Sequence, residues 1–281
     1  MITMKEPLEK LARFSFDWAP TLCGPNCAAY HQAWSTIRLL MRNSDLPSGL
    51  HFFAKEMNTF AGPDKPRVLI SGGADTGLFA LAVEAFGAKA AEAEFVFADA
   101  CATSVEQNRL YARHCGLKAD FHLGDICDLQ TAPADVILAH NFLYFFEPSR
   151  RHLVTQTWAR SLKPQGRVLI YQGLQQPVSR RSLPQTPDPT LGPQIRQAAL
   201  KFGMGDDLAT MVEQTANRFW EKQTGYTAVT RSELEAYLES SGLRISAITV
   251  DEQTNNSPYW AGNRQNAPAR TCVVAMHKSL T

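Results

Sequence analysis

Hydrophobic residues in the middle of the chain form short blocks that alternate with longer amphipathic segments. Such short apolar runs between turns are typical of buried strands, whereas the longer segments have helical periodicity. The pattern predicts strands at residues 67–71, 94–98, 121–123, 135–139 and 167–171, with helices at 78–86, 103–115 and 149–162 between them. Strands that alternate with helices predict a mostly parallel, doubly wound α/β sheet.

The alternation stops after residue 171. Residues 174–193 hold five prolines, and a polar and aromatic segment of helical character follows to about residue 225. A capping-box sequence, Thr230–Glu233, then opens a helix that ends at Gly242. Strands at 244–250 and 271–276 have no helix between them, so we expect an antiparallel pair at the end of the chain. A second capping box, Thr103–Glu106, is expected to begin the helix at 103–115.

This pattern divides the chain into three parts. Residues 1–62 form an N-terminal helical segment, residues 63–173 and 229–281 a Rossmann-like core, and residues 174–228 a helical cap insertion. Within the first part, Tyr30, Trp34 and Arg38 share a helical face. This face is expected to pack on the sheet or, alternatively, to cover a ligand. The cap residues Met204, Met211, Arg218, Phe219, Trp220 and Tyr226 either roof a pocket or form the cap's own core.

Charge and composition exclude several classes of protein. The chain has 28 basic and 27 acidic residues, which gives no electrostatic surface for nucleic acid or an anionic membrane. No apolar run approaches the roughly 20 residues that span a bilayer. The first residues lack a secretory cleavage site. We therefore expect a cytoplasmic protein, for which a homodimer is compatible with the sequence.

The six cysteines raise the question of a metal site. Cys23, Cys27 and His31 follow one another at intervals of four residues, as three ligands on a helix would. No second Cys-x-x-Cys or His-x-x-x-His accompanies them. The prediction is therefore reduced cysteines, mostly buried, and no metal.

A glycine-rich turn, residues 72–77, joins the first strand to its helix. Glycine adopts positive φ without steric cost, and the N–H groups at a helix start attract oxygen-rich ligands. One interpretation is a degenerate dinucleotide fingerprint, with Asp99 about 20 residues on as the ribose-binding acid. That interpretation predicts an NAD(P)-binding Rossmann protein.

The order of motifs supports a different nucleotide. A glycine loop, Asp99, Gly124-Asp125, His140-Asn141, Leu-Lys-Pro-Gln-Gly and a closing antiparallel pair follow in turn. Over residues 67–175 and 229–278 this order resembles class I S-adenosylmethionine-dependent methyltransferases of the small-molecule type. The loop departs from the family's Gly-x-Gly-x-Gly, since Ala74 and Thr76 stand where its second and third glycines would be, or the loop shifts to Gly73 and Gly77.

The resemblance implies S-adenosyl-L-methionine as cofactor. It places the glycine loop under the amino-acid and ribose portions, Asp99 at the ribose hydroxyls and Asp125 at the adenine. Arg38, on an N-terminal helix that covers the cofactor, would meet the methionyl carboxylate. The implied cofactor-binding residues are Gly72, Gly73, Ala74, Asp75, Gly77, Asp99, Ala100, Asp125, Ile126, His140, Tyr30 and Arg38.

His140 and Asn141 are the catalytic candidates, because they end the apolar strand where open α/β sheets bind their ligands. His140 is either a general base or a structural histidine. The Asn/Asp-Pro-Pro-Tyr motif of amide methyltransferases is absent here, where the sequence is His-Asn-Phe-Leu-Tyr. Candidate substrate contacts are Tyr144, Tyr171, Arg218, Trp220 and Tyr259.

The sequence thus predicts a methyltransferase for a small-molecule N, O or S acceptor. The main alternative is a non-catalytic S-adenosylmethionine-binding or regulatory protein of the same fold.

Overall fold

The computed structural model describes residues 7–25, 27–40, 50–59, 64–175, 191–221, 229–250 and 269–278. Tyr226, Tyr259 and most of the proline-rich stretch lie outside these ranges. None of the helices within them is long and apolar enough to cross a membrane.

One mixed sheet forms the centre of the described chain. Its strands are β1 (Arg67–Ser71), β2 (Glu94–Asp99), β3 (Ala119–Leu123), β4 (Ala134–His140), β5 (Leu162–Gln175), β6 (Val229–Thr230), β7 (Leu243–Val250) and β8 (Ala269–His277). The strand order is β3-β2-β1-β4-β5-β8-β7, and β6 pairs with β5. The first five strands are parallel, whereas β8 is antiparallel to both β5 and β7. The predicted fold and its closing antiparallel pair are confirmed.

Helices cover both faces of the sheet. They are α1 (Leu8–Leu22), α2 (Ala28–Leu40), α3 (Leu50–Asn58), α4 (Gly77–Phe86), α5 (Ala102–Cys115), α6 (Pro148–Arg160), α7 (Leu191–Lys201), α8 (Asp206–Glu221) and α9 (Arg231–Ser240). Alternate residues of β1 separate the two cores: Val68 and Ile70 face α3, α4 and α5, whereas Leu69 faces α6 and α9. Burial on both sides explains why the central strands are apolar throughout.

The two predicted capping boxes have different outcomes. The box at Thr230 and Glu233 forms and begins α9. The Thr230 side chain accepts the Glu233 backbone N–H, and the Glu233 side chain accepts the Thr230 backbone N–H. The box predicted at Thr103–Glu106 was wrong, because α5 begins one residue earlier, at Ala102, and has no side-chain cap. The hydroxyl of Thr103 contacts the Cys23 sulfur instead, at 2.9 Å. A tertiary contact thus outweighs the local signal.

A third apolar cluster joins the N-terminal segment to the cap. Ile37 of α2 packs with Ile195 of α7 and Phe219 of α8, and Tyr30 and Trp34 lie against them. The expectation that the aromatic face of α2 packs on the sheet was therefore wrong. It is α1 and α3 that pack on sheet-covering helices, against α5 and α4 respectively. The apolar core of the cap therefore includes side chains of α2 and is not formed by the cap alone.

Candidate functional site

The predicted site residues meet at one edge of the sheet. The glycine loop follows β1, Asp99 ends β2, Gly124-Asp125 follows β3, and His140 ends β4. Because these strands are parallel, their carboxyl ends share an edge, which is where open α/β sheets bind ligands.

The glycine loop is shaped for close approach of the backbone. Gly72 has a φ of +74°, and a Cβ there would lie 2.1 Å from the Phe142 ring. Any other residue at this position would be strained and would clash. The Gly72 N–H donates to the Ala98 carbonyl at 2.9 Å, which fixes the turn against β2.

Asp99 links the glycine loop to the start of α5 through hydrogen bonds. Its two carboxylate oxygens accept the N–H groups of Gly73, at 3.0 Å, and Cys101, at 2.7 Å. Burial raises the pKa of Asp99 to about 6, against the lowering effects of His31 and of the two N–H groups. The side chain is still partly exposed, and its neighbour Ala100 is exposed.

Arg38 of α2 reaches the same loop. Its Nε donates to Asp75 Oδ2 at 2.5 Å, and its Nη2 donates to the Thr76 hydroxyl at 3.3 Å. The other oxygen of Asp75 accepts the Gly77 N–H at 2.8 Å, which supports the start of α4. Since Arg38 is engaged by a carboxylate of the protein, its predicted contact with the methionyl carboxylate stays a prediction.

Asp125 supports the turn after β3. Its Oδ1 accepts the Cys127 N–H at 2.9 Å, and its Oδ2 accepts Arg150 Nη2 at 2.5 Å. Burial raises the pKa of Asp125, but these two partners outweigh it and hold the pKa below its ordinary value. Ile126 is buried in the core beneath. Contacts of Asp125 and Ile126 with adenine stay predictions.

The His140 ring stacks on the Tyr171 ring. The two rings are nearly parallel, at 9°, with centroids 5.0 Å apart. Tyr171 is completely buried, so it supports His140 from below. The predicted substrate role of Tyr171 is untested, and this packing gives the ring a clear structural role.

Asn141 organises the turn after β4. Its φ of 50° is left-handed, a conformation that Asn tolerates better than most residues. Its side-chain oxygen accepts the Gly173 N–H at 3.0 Å and Arg270 Nη1 at 2.9 Å. Its amide nitrogen lies 3.5 Å from His140 Nδ1. Asn141 is thus held where it can orient His140, and sequence reasoning missed Arg270 because β8 is distant along the chain.

Aromatic side chains from three elements lie beside this edge. The Tyr30 ring stacks on Trp34 at 6.2 Å and contacts the rings of Phe145, after β4, and Phe219, in α8. Tyr144 is half-buried, and burial raises its pKa. Arg218 is exposed and donates to the Thr215 hydroxyl at 3.1 Å. Trp220 lies within α8, and nothing is described of its side chain.

A group of metal-ligating side chains also lies here, although the sequence predicted no metal. It is called the Cys3His cluster and consists of Cys23, Cys27, His31 and Cys101, whose ligand atoms all lie within 4.8 Å of one another. The first three residues gave a sequence signal in their spacing. The fourth follows Asp99 by two residues and could be found only from the fold.

Comparisons with known proteins support a methyltransferase fold. A methyltransferase domain model matches residues 72–166. No curated protein matches the sequence. Among solved structures with similar folds is "a pericyclic reaction enzyme", which is 12% identical in sequence, with 88% of this chain and 52% of that chain covered and a TM-score of 0.53. A putative O-methyltransferase from Nostoc punctiforme PCC 73102 is 17% identical, with 97% of this chain and 69% of that chain covered and a TM-score of 0.52. The magnesium protoporphyrin IX methyltransferase of Synechocystis PCC 6803 with bound SAH is 11% identical, with 87% of this chain and 94% of that chain covered and a TM-score of 0.51. The chain spans about half the length of the pericyclic reaction enzyme.

A methyltransferase domain model matches residues 72–166, and the fold is shared with solved methyltransferases, so the chain is similar to the class I S-adenosylmethionine-dependent methyltransferases. The cofactor of this family is S-adenosylmethionine, so the dinucleotide interpretation of the glycine loop is not supported.

Proposed function

We propose that the protein methylates a small molecule held between the carboxyl edge of the sheet, α2 and the cap. The observation that carries the proposal is the aromatic group formed by Tyr30, Trp34, Phe145 and Phe219. It joins the N-terminal segment, the end of β4 and the cap at the edge where the candidate cofactor-binding residues meet. Apolar walls with a few polar groups are typical of small-molecule sites.

The residues at this edge fit S-adenosylmethionine. An ionised carboxylate offers about four acceptor positions, of which the two N–H groups at Asp99 use two. The remaining positions suit the two hydroxyls of a ribose. The absence of a Cβ at Gly72 and Gly73 leaves room for the rings of Phe142 and Phe97, which pack against this loop.

When bound, S-adenosylmethionine supplies a methyl group activated by its positive sulfur. The protein's task is to hold an acceptor atom in line with that methyl group and roughly 3 Å away. His140, with one side held by Tyr171 and Asn141, is the residue we assign to accept the acceptor's proton as the new bond forms.

The balance of charge also favours a small acceptor. The chain's 28 basic and 27 acidic residues provide no excess charge for a nucleic-acid backbone. The similar structures include a magnesium protoporphyrin IX methyltransferase, which is consistent with a small acceptor in this fold.

The experiment is a measurement of S-adenosylhomocysteine release with wild-type protein. The acceptor panel holds small phenols, carboxylic acids, amines and thiols, with transfer RNA and unfolded protein as macromolecular acceptors. We expect turnover with members of one small-molecule class. Turnover with the macromolecules alone would contradict the small-acceptor proposal, and cofactor binding without turnover on any acceptor would favour the non-catalytic alternative.

A further inference from the structure

Three separate elements build the Cys3His cluster. Cys23 follows α1, Cys27 precedes α2, His31 lies in the first turn of α2, and Cys101 precedes α5. The Cys101 sulfur lies 3.0 Å from the Cys23 sulfur and 3.9 Å from the Cys27 sulfur. In a tetrahedral zinc site, Zn–S bonds of about 2.3 Å put the sulfurs about 3.8 Å apart. The Cys27–Cys101 separation matches this value, and the Cys23 sulfur would have to move about 0.8 Å away from Cys101 to admit the ion.

The histidine is held in the orientation that metal binding requires. Its Nδ1 lies 2.9 Å from the Ala74 carbonyl oxygen, which can only accept, so Nδ1 carries the proton. In the neutral ring, Nε2 is then the nitrogen with a lone pair for a metal. A backbone carbonyl that fixes the second ring nitrogen is the usual support for a histidine ligand.

The thiols are also arranged as ligands. The sulfurs of Cys23, Cys27 and Cys101 and the ligand nitrogen of His31 all lie within 4.8 Å of one another. The thiolate is the form that binds metals. The Cys101 N–H donates to Asp99, and the Thr103 hydroxyl contacts the Cys23 sulfur.

We propose that the Cys3His cluster binds one Zn²⁺ as a structural site. Three sulfurs and one imidazole nitrogen are a ligand set that selects zinc among the common divalent ions. Four protein ligands complete a tetrahedron and leave no position for a substrate, so the ion has no catalytic role. It joins the α1–α2 junction to the end of β2, directly beside Asp99 and the glycine loop.

A disulfide is the main alternative use of these cysteines. A Cys23–Cys101 disulfide would bring its two sulfurs to about 2.05 Å. It would not account for the positions of Cys27 and His31 beside those sulfurs. All four ligand atoms converge, which a single disulfide does not explain. The zinc site does not depend on which acceptor the protein methylates.

Metal analysis of the purified full-length protein tests this proposal. We expect about one zinc per chain after dialysis, as a closed four-ligand site retains its metal. Cobalt exchanged into the wild-type protein should give the absorption of tetrahedral, thiolate-bound Co²⁺. This second measurement needs no variant, so it decides the matter even if a ligand variant does not fold.

Single-site variants assign the ligands. Cys101→Ser and His31→Ala should each lose the zinc. Cys115→Ala is the matched control, because Cys115 is a buried cysteine at the opposite end of α5, roughly 20 Å away at 1.5 Å per residue, and it should keep the zinc. A wild-type protein without zinc or cobalt binding, a native Cys23–Cys101 disulfide in peptide mass spectra, or zinc retained by both ligand variants would overturn the proposal.

Discussion

At the scale of single residues, we propose that Asp99 is the side chain on which cofactor affinity most depends. If Asp99 binds the ribose as proposed, Asp99→Ala removes two charge-assisted hydrogen bonds, each worth about 1.5–3 kcal/mol. We expect S-adenosylmethionine to bind at least roughly tenfold more weakly by isothermal titration. Asp120→Ala, which removes an exposed acid of β3, serves as the control and should bind normally. Equal affinity in both variants would contradict the assignment of Asp99.

His140 is the second residue with a separable effect. General-base catalysis contributes roughly 10²–10⁴-fold, so His140→Ala should lower kcat by that factor. Cofactor affinity should hardly change, since the loop and Asp99 remain. His140→Asn with kcat within about tenfold of wild type would show that no base is needed.

The side chains around His140 show which part of the site sequence reasoning could reach. Asp99 and His140 follow strands whose apolar pattern is clear, so their positions could be predicted. The Arg38–Asp75 ion pair and the Arg270–Asn141 hydrogen bond join residues far apart in the chain. Nothing in the local pattern indicates such partners, because only the assembled fold brings them together.

At the scale of elements, the contact between α2 and α8 is the feature most open to test. Phe219 is 1% exposed and packs against Tyr30 and Trp34. Removal of a buried phenylalanine ring typically costs 3–5 kcal/mol, so Phe219→Ala should lower the denaturation midpoint and, if the cap closes the substrate site, kcat/KM. Phe202→Ala removes a ring that is 46% exposed and is the control.

The two phenylalanine variants also separate the possible roles of the cap. Unfolding followed by circular dichroism reports stability, and S-adenosylhomocysteine release reports turnover. A Phe219→Ala protein that is less stable but has wild-type kcat/KM would mean that the cap only covers α2. An unchanged denaturation midpoint would contradict the packing itself.

Helices and strands differ in how far the sequence determines them. The central strands were predictable because burial on both faces makes them apolar, and β4 extends only one residue beyond the predicted block at each end. The start of α5 could not be predicted, because its first polar side chains have tertiary partners. The Thr103 hydroxyl contacts the Cys23 sulfur, and the Ser104 hydroxyl donates to the Gly73 carbonyl. The packing of α2 on the cap was also not predictable, as one aromatic face suits either surface.

At the scale of the whole molecule, the proposed zinc ion couples the N-terminal helices to the cofactor edge. Removal of the metal by a chelator should free the α1–α2 junction from Cys101. We expect faster amide hydrogen exchange in α1 and α2, with β4 and β5 unaffected, because local opening follows the loss of local contacts. Added Zn²⁺ should restore the protection. Equal exchange with and without metal would mean that the ion does not hold the junction.

The most direct measurement of the central claim is a crystal structure of the protein with S-adenosylhomocysteine. The account predicts the ribose hydroxyls within hydrogen-bonding distance of Asp99, about 2.5–2.7 Å for an O–H donor to a carboxylate, and the thioether sulfur facing His140. Both positions belong to the carboxyl edge of the sheet, beneath α2. A ligand bound elsewhere, or one whose ribose does not touch Asp99, would contradict the account.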